Sequence, residues 1–523
     1  MKALLVYPEF PDTYWSFRHA LKFEGKRSAF PPLGLMTVAA MLPANWQRRL
    51  VDMNVEPLRR ADIEWADIVF ASAMLVQKDS LRAVVQQCKL HGKPVAVGGP
   101  YVTTTCEDLP ADYLFFGESE ETLPRFIEEF THGGATERIY ASRERPSLEL
   151  TPVPEFNLVD LRRYVSMSVQ YSRGCPFRCE FCDIIEIYGR VPRTKSPAQM
   201  LAELDALRAT GWRGSVFIVD DNFIGNKRNV KRLLPELAEW QQRHRYPFSL
   251  FTEASVNLAE DDELLEMMRR AGFRRVFLGI ETPVKESLAE AQKGQNLQRD
   301  LLDAVRKIQS YGMEVMAGFI VGFDHDPPDI FDRQIEFIRE SAIPLAMVGL
   351  LHALPGTQLW RRLEREGRLL GESSGNNTDC SLNFIPRMDV GQLIDGYKRI
   401  LQTIYSPTEY YNRALECLKR LAYSGLESRH NELVHDLAAL VRLVFELGIR
   451  DRARASFWHY VARTLAACPQ RFAHAMTLAA MGYHFRKLTE SYLGQSASPD
   501  GRPLLKDLGG ESDPGGTILG APA

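Results

Sequence analysis

The chain has 523 residues, too many for one ordinary domain, and its 45% hydrophobic and 25% charged composition is that of a globular protein. A net charge of −3 offers no basic excess for a nucleic-acid backbone, which excludes nucleic acid as the main partner. No stretch approaches the roughly eighteen apolar residues of a membrane-crossing helix, so no transmembrane segment is expected.

The first residues, Met1 to Pro8, carry a short apolar run ended by a proline. They lack the longer apolar region and cleavage site of a signal peptide and read as a first β-strand. Strand and helix signals then alternate. Strands are predicted at 3–7, 49–52, 68–71, 94–97 and 113–116, with helices at 34–42, 80–91 and 120–130. This rhythm predicts a doubly wound α/β sheet over a domain of residues 1–130. Small residues follow three strands, at Ala71-Ser72-Ala73, Gly98-Gly99-Pro100 and Gly117-Glu118. Ligands of such sheets lie at the carboxyl ends of the strands, so these turns mark a binding crevice. No G-x-G-x-x-G follows the first strand, which disfavours a dinucleotide. The aromatic stretch Tyr14, Trp15, Phe17 and Phe23 suits either core or the cover of a ligand.

Residues 131–165, with Gly133-Gly134, Pro146, Pro152 and Pro154, read as a linker. A second α/β rhythm covers 166–387, with strands at 169–172, 215–219, 249–253, 275–279, 314–319 and 346–351 and helices such as 197–210, 262–271 and 297–311. Residues 388–492 have helical periodicity, with amphipathic runs at 389–405, 407–421, 429–447 and 452–467. Residues 493–523, dense in Gly, Pro, Ser and Asp, read as a disordered tail.

Cys175, Cys179 and Cys182 stand as C-x3-C-x2-C, in a chain with only 8 cysteines. Thiolates this close can ligate one cluster of soft metal ions. A structural zinc site would close with a fourth ligand, yet no Cys or His follows within forty residues. Three ligands on a four-iron cluster leave one iron open to a substrate or cofactor. The remaining cysteines, Cys88, Cys106, Cys380, Cys417 and Cys468, are dispersed, which suits a reduced cytoplasmic protein better than a disulfide framework. Polar residues end the later strands. Asp220 and Asp221 close one; Glu253, Ser255 and Asn257 alternate along the next and so share one face. Glu281 ends the fourth, and Gly318 lies in Gly318-Phe319-Ile320-Val321-Gly322.

With the aromatic Phe181 before its last cysteine, the triplet resembles the radical S-adenosylmethionine (SAM) superfamily. The resemblance implies a partial (β/α)6 barrel in which Cys175, Cys179 and Cys182 hold a [4Fe-4S] cluster. It implies SAM contacts at Phe181, Asp220, Glu253, Ser255, Glu281 and Gly318, and an electron donor such as flavodoxin or ferredoxin. The N-terminal pieces Tyr7-Pro8, Val51-Asp52-Met53-Asn54 and Val97-Gly98-Gly99-Pro100 resemble the Rossmann-like cobalamin (B12)-binding domain that precedes the barrel in one radical SAM class. Ser72, Gly98, Gly99 and Gly117 are then the candidate cobalamin contacts. The D-x-H-x-x-G motif that places His on cobalt is absent, and the loop reads Pro8-Glu9-Phe10-Pro11-Asp12-Thr13.

The helical extension makes the whole similar to the subgroup of cobalamin-dependent radical SAM proteins that includes the hopanoid C-2 methylase. That implies a methyltransferase acting on an unactivated carbon of a small-molecule or lipid-like substrate, through a 5′-deoxyadenosyl radical and methylcobalamin. One alternative is a cyclase, oxidative or rearranging enzyme using the same cofactors without methyl transfer. Another is a non-catalytic cobalamin or redox sensor, which would not cleave SAM.

Overall fold

Apolar runs such as Ala3-Leu4-Leu5-Val6, fully buried, form strands covered on both faces, as a parallel sheet flanked by helices requires. The computed structural model describes residues 1–105, 109–133, 135, 137–142, 144–376, 380–422 and 433–495. Cys106 and residues 496–523 of the tail lie outside them. The first sheet has strands β1 (Lys2–Tyr7), β2 (Gln47–Asp52), β3 (Ile68–Ser72), β4 (Val95–Gly98), β5 (Tyr113–Phe116) and β6 (Ile139–Ala141). They pair in parallel in the order β2-β1-β3-β4-β5-β6. The order reverses between β1 and β3, which opens a crevice at their carboxyl ends. The edge strand β6 lies in the 131–165 stretch read as a linker. Tyr140 is fully buried and stacks on Phe115 with ring centroids 5.3 Å apart, so one aromatic recruits the connector to the sheet.

The second sheet uses β7 (Ser166–Val169), then β10 (Gly214–Ile218), β11 (Phe248–Ala254), β12 (Phe273–Glu281), β13 (Glu314–Val321) and β14 (Ala346–Leu350). These six parallel strands run in sequence order and leave β7 and β14 as edges, a partial barrel. Between β7 and β10 the chain makes a two-stranded antiparallel hairpin, β8 (Ser172–Arg173) with β9 (Arg193–Thr194). The strand predicted at 169–172 is therefore divided. Val169 ends the barrel strand and Ser172 begins the hairpin, with Tyr171 N and Ser172 Oγ both donating to Asp220. The helix Pro197–Ala209 begins where its capping box dictates: Ser196 Oγ accepts from Gln199 N at 3.2 Å and Gln199 Oε1 accepts from Ser196 N at 3.0 Å.

The helical region consists of Val390–Ile404, Pro407–Arg420, Leu433–Leu443, a π-helical turn Val444–Arg450, Arg454–Ala467 and the long helix Phe472–Gln495. The last was not among the amphipathic runs, because apolar side chains lie all around it. It packs on the helix Arg18–Glu24, and Tyr492 Oη donates to Asp12 O at 2.5 Å. The aromatic stretch after β1 leaves its own sheet and enters the barrel. Trp15 stacks on Phe217 at 6.1 Å and meets Phe277 at 5.3 Å, Phe30 meets Phe251 at 6.1 Å, and Tyr14 Oη donates to Val348 O at 2.9 Å. It lies between the two sheets, with Tyr14 buried and Trp15, Phe17 and Phe23 lining a cavity under the barrel.

One buried charge cluster ties the barrel floor to the long helix. Glu314, wholly buried at the start of β13, pairs with Arg275 of β12 at 3.3 Å and with His474. Burial works to raise this carboxyl, but Arg275 and then His474 overcome it and hold it at about 2. The stabilisation is thus present above the ordinary carboxylate range and fades as pH falls through about 2. Glu314→Gln should cost on the order of 3 kcal/mol near neutral pH by leaving Arg275 unpaired. Urea unfolding followed by Trp fluorescence checks this, and the deficit should narrow as the medium is made strongly acidic.

Candidate functional site

The three cysteines lie on the loop between β8 and β9. Gly174 enters it at φ +95°, and a Cβ there would come within 2.8 Å of Gly189 O, so the tight entry requires glycine. The loop is held on both sides. Gly174 N donates to Asp221 at 2.9 Å, Cys175 N to Gly189 O at 3.2 Å and Glu180 N to Ala291 O at 3.0 Å. Arg362 bridges Glu180 at 2.7 Å, Asp324 at 2.8 Å and Glu290 at 3.3 Å, binding the loop to segments that follow β12 and β13. Amide donors reach the sulfurs: Asn222 Nδ2 lies 3.8 Å from Cys175 Sγ and Gln295 Nε2 lies 3.6 Å from Cys179 Sγ. Burial, then Asp183 and Cys179, pushes the Cys182 thiol up.

The residues read as SAM contacts divide by environment. Glu253 has no hydrogen-bond partner among the described residues; burial, with Asp221 and Asp220 adding, lifts its carboxyl to about 8. Asp221 is lifted to about 7, first by burial. Ser255 Oγ donates to Asn257 at 2.6 Å and accepts from Asn222 Nδ2 at 3.2 Å, so a polar chain runs from the end of β11 to Cys175. Glu281 sits at φ +64°, a left-handed conformation costly for Glu, and pairs with buried Lys293. Burial works to lower the Lys293 ammonium, but Glu281, and after it Cys179, push it up. A Cβ on Gly318 would lie 3.2 Å from Phe277 and 3.9 Å from Glu281, so that glycine keeps the lumen open beside the pair. Phe181 packs 6.2 Å from Phe323, with Lys293 Nζ 5.9 Å from its ring. Asp220 is 1% exposed and each of its oxygens accepts a bond, from Tyr171 N at 2.7 Å and from Ser172 Oγ at 2.6 Å. It thereby anchors the hairpin that carries the cysteines.

Ser72, Gly98, Gly99 and Gly117 end β3, β4 and β5 and share one rim of the first sheet. Gly99 has φ +96°, and a Cβ would fall 2.5 Å from Ser72 Oγ. Gly117 has φ +79° with open space where a Cβ would be. The loops after β1, β3, β4 and β5 contain no histidine (8–13, 73–77, 99–105 and 117–121). This rim faces the cysteine hairpin. Arg173 Nη1 meets Glu118 at 2.6 Å and Glu120 at 2.7 Å, and Arg193 Nη2 meets Glu118 at 2.5 Å. Sequence reasoning missed these four residues, and with them Asn222, Lys293 and Gln295. Glu118, Glu120, Arg173 and Asn222 lie beside a strand end or the triplet, and Arg193, Lys293 and Gln295 carried no such signal.

Comparison with known proteins gives three family matches: a radical SAM superfamily model over 169–338, a B12 binding domain over 27–127, and a domain of unknown function, DUF4070, over 357–497. An uncharacterised methyltransferase of Synechocystis sp. is 46% identical over 94% of this chain and 92% of its own length. The hopanoid C-2 methylase of Rhodopseudomonas palustris is 37% identical over 89% of each. Among solved structures, the cobalamin-dependent SAM radical enzyme OxsB with aqua-cobalamin shares the fold, with TM-score 0.61, 16% identity, and 94% of this chain and 80% of that one covered. TsrM of Kitasatospora setae, with cobalamin and a [4Fe-4S] cluster, gives TM-score 0.54 at 15% identity over 70% of this chain and 78% of its own.

The donor set fits such a cluster. Among the described residues no three His, Cys, Asp or Glu side chains form a ready single-ion site. A four-iron cluster holds its thiolates further apart than one ion does, and N–H donors at the sulfurs are the usual means of tuning it. The glycine rim and the histidine-free loops likewise fit a cobalamin without a protein imidazole on its lower face.

The ion pairs between the two halves can be tested directly. Glu118→Ala leaves Arg173 buried against Glu120 alone and unpairs Arg193. The expected cost is on the order of 3 kcal/mol. It should appear in hydrogen exchange as faster exchange of the β5 and β8 amides, with the β12 and β13 amides unchanged.

Proposed function

We propose that this chain, which belongs to the cobalamin-dependent radical SAM methyltransferases, methylates an unactivated carbon of an apolar, lipid-like substrate. The observation that carries this reading is the meeting of two strand-end rims. The cysteine hairpin and the glycine rim are joined face to face by Glu118, Glu120, Arg173 and Arg193. A transfer that draws on two cofactors needs both within reach of one substrate carbon.

Cys175, Cys179 and Cys182 would hold the [4Fe-4S] cluster, and the rim of Ser72, Gly98, Gly99 and Gly117 would hold cobalamin. Together with SAM these groups supply a 5′-deoxyadenosyl radical and a methyl donor. The chain's own residues do the positioning. Asn222 and Gln295 donate N–H groups to the cysteine sulfurs. Glu253 and Asp221, both lifted by burial, form an acidic pocket that a cationic ligand would relieve; SAM carries an ammonium and a sulfonium. Glu281 and Lys293, paired across the lumen, set its polar wall beside Gly318. Trp15, Phe217 and Phe277 close the lumen below and keep water from that side. The lipid-like substrate is supported by the 37% identical hopanoid C-2 methylase. An electron must come from a small donor protein such as flavodoxin or ferredoxin, which suits a cytoplasmic setting. No helix among the described residues is long and apolar enough to cross a membrane.

The test is SAM labelled in its methyl group, supplied anaerobically with a reductant and a polycyclic lipid extract. Label should enter a lipid product, with two SAM consumed per methyl transferred. Cleavage of SAM with an unlabelled, altered product would replace methyl transfer by an oxidative or rearranging reaction. Cys179→Ala should lose cluster absorbance and all 5′-deoxyadenosine. Glu253→Gln should weaken SAM binding about tenfold and leave cobalamin bound, while Gly99→Ala should lose cobalamin and still cleave SAM.

A further inference from the structure

We propose that the helical region carries a docking face for a bilayer rich in anionic lipid, formed by Leu437, Val441, Phe445, Ile449 and Trp458. The first four follow one another at intervals of four, which places them along one side of a helix. They are 62%, 60%, 52% and 59% exposed, while Leu443 and Leu447 on the other side are buried. The segment changes from α-helix (Leu433–Leu443) to π-helix (Val444–Arg450), and the wider turn offsets the drift of a four-residue stripe. Trp458, 47% exposed on the following helix, is fixed beside the stripe by donating Nε1–H to Gly448 O at 3.0 Å. Isolated exposed apolar residues are ordinary, but an aligned row ending in an indole is not.

Charge selects the partner. From 433 to 458 the chain has four arginines, Arg442, Arg450, Arg452 and Arg454, against three acids, Asp436, Glu446 and Asp451. Glu446 is held by Lys22 at 3.1 Å and by Tyr483 at 2.7 Å, and Asp451 is paired with Arg486. Arg450 also reaches Glu446 at 3.6 Å and Arg442 donates to Phe23 O at 2.8 Å, so the exposed Arg452 and Arg454 give the margin of the apolar row its basic character, the pattern of a helix lying in the headgroup region of an anionic leaflet.

A cavity chooses a lipid surface over a protein partner. A space of about 500 Å³ lies between the barrel floor, the helix Arg18–Glu24 and the helices Leu433–Leu443 and Phe472–Gln495. Its walls include Leu440, Leu443, Phe472 and Met476, and also Leu437, a member of the exposed row. The cavity thus opens beside the stripe, on the floor side of the aromatic layer, and a lipid acyl chain can enter it from a bilayer without crossing water. The proposal goes beyond the reaction class and stands on the surface by itself.

The test is flotation of the full-length, anaerobically prepared protein with vesicles of phosphatidylcholine and phosphatidylglycerol in equal parts, beside vesicles of phosphatidylcholine alone. The protein should float with the anionic vesicles, and less so as salt is added. The double variant Val441→Ser, Phe445→Ser should lower that partition at least about tenfold with thermal unfolding unchanged, since both sites are exposed. Arg452→Gln with Arg454→Gln should lower it by roughly fivefold per charge. The docking face is overturned if the native protein floats with neither vesicle, or if the variants float as it does. It is also overturned if light scattering shows a dimer or a complex that the serine variants break, which would make the row a protein contact. SAM cleavage is measured on the same preparations, so a failure of docking and a failure of the proposed chemistry are read separately.

Discussion

The arrangement depends on one buried ion network. Arg173 and Arg193 leave the cysteine hairpin, Glu118 and Glu120 leave the end of β5, and all four are largely shielded from water. Charges brought into such a place cost more than they return unless each finds a partner of good geometry. Arg173 meets two carboxylates and Glu118 meets two guanidiniums, so removing Arg173 strands Glu120 and removing Glu118 strands Arg193. The demand for complete pairing fixes how the two rims face each other, and hence the distance between anything each rim holds.

A second constraint is apolar. The lumen of a partial barrel has to be filled, and the six strands do not fill it alone. The chain supplies Trp15 and Phe30 from the first sheet's own connection. Phe217 and Phe251, stacked at 4.5 Å, complete the layer. The barrel is thus divided into a polar upper half, where Glu253, Glu281 and Lys293 lie, and a floor where Arg275 and Met316 line an apolar cavity. The N-terminal region is therefore part of the barrel's core as well as a neighbour of it.

The sequence made local features legible. Both sheets followed from apolar runs and small-residue turns, and the triplet from its spacing. Features made by distant residues were not legible. The contact between Arg173 and Glu118 spans 55 positions and leaves no period to detect. β6 is three residues long, too short for alternation to show. Asp220 had the type and place of a ligand contact, and only the folded chain reveals that it also holds Tyr171 N and Ser172 Oγ. Lys293 and Gln295, at the start of the short helix Gly294–Leu297, gain meaning only from Glu281 and the Cys179 sulfur that they reach. The tail of residues 496–523 lies outside what the structure describes.

The bond from Tyr492 to Asp12 joins residues 480 apart. Synthesis at about 5–20 residues per second leaves the aromatic stretch around Trp15 waiting roughly half a minute to a minute and a half for the helix that covers it. During that interval Trp15 gains Phe217 and Phe277 as the barrel strands appear, while Tyr14 and Phe17 still lack Phe485 of the last helix. An apolar edge of the nearly folded chain thus stays open to other chains until the last helix leaves the ribosome.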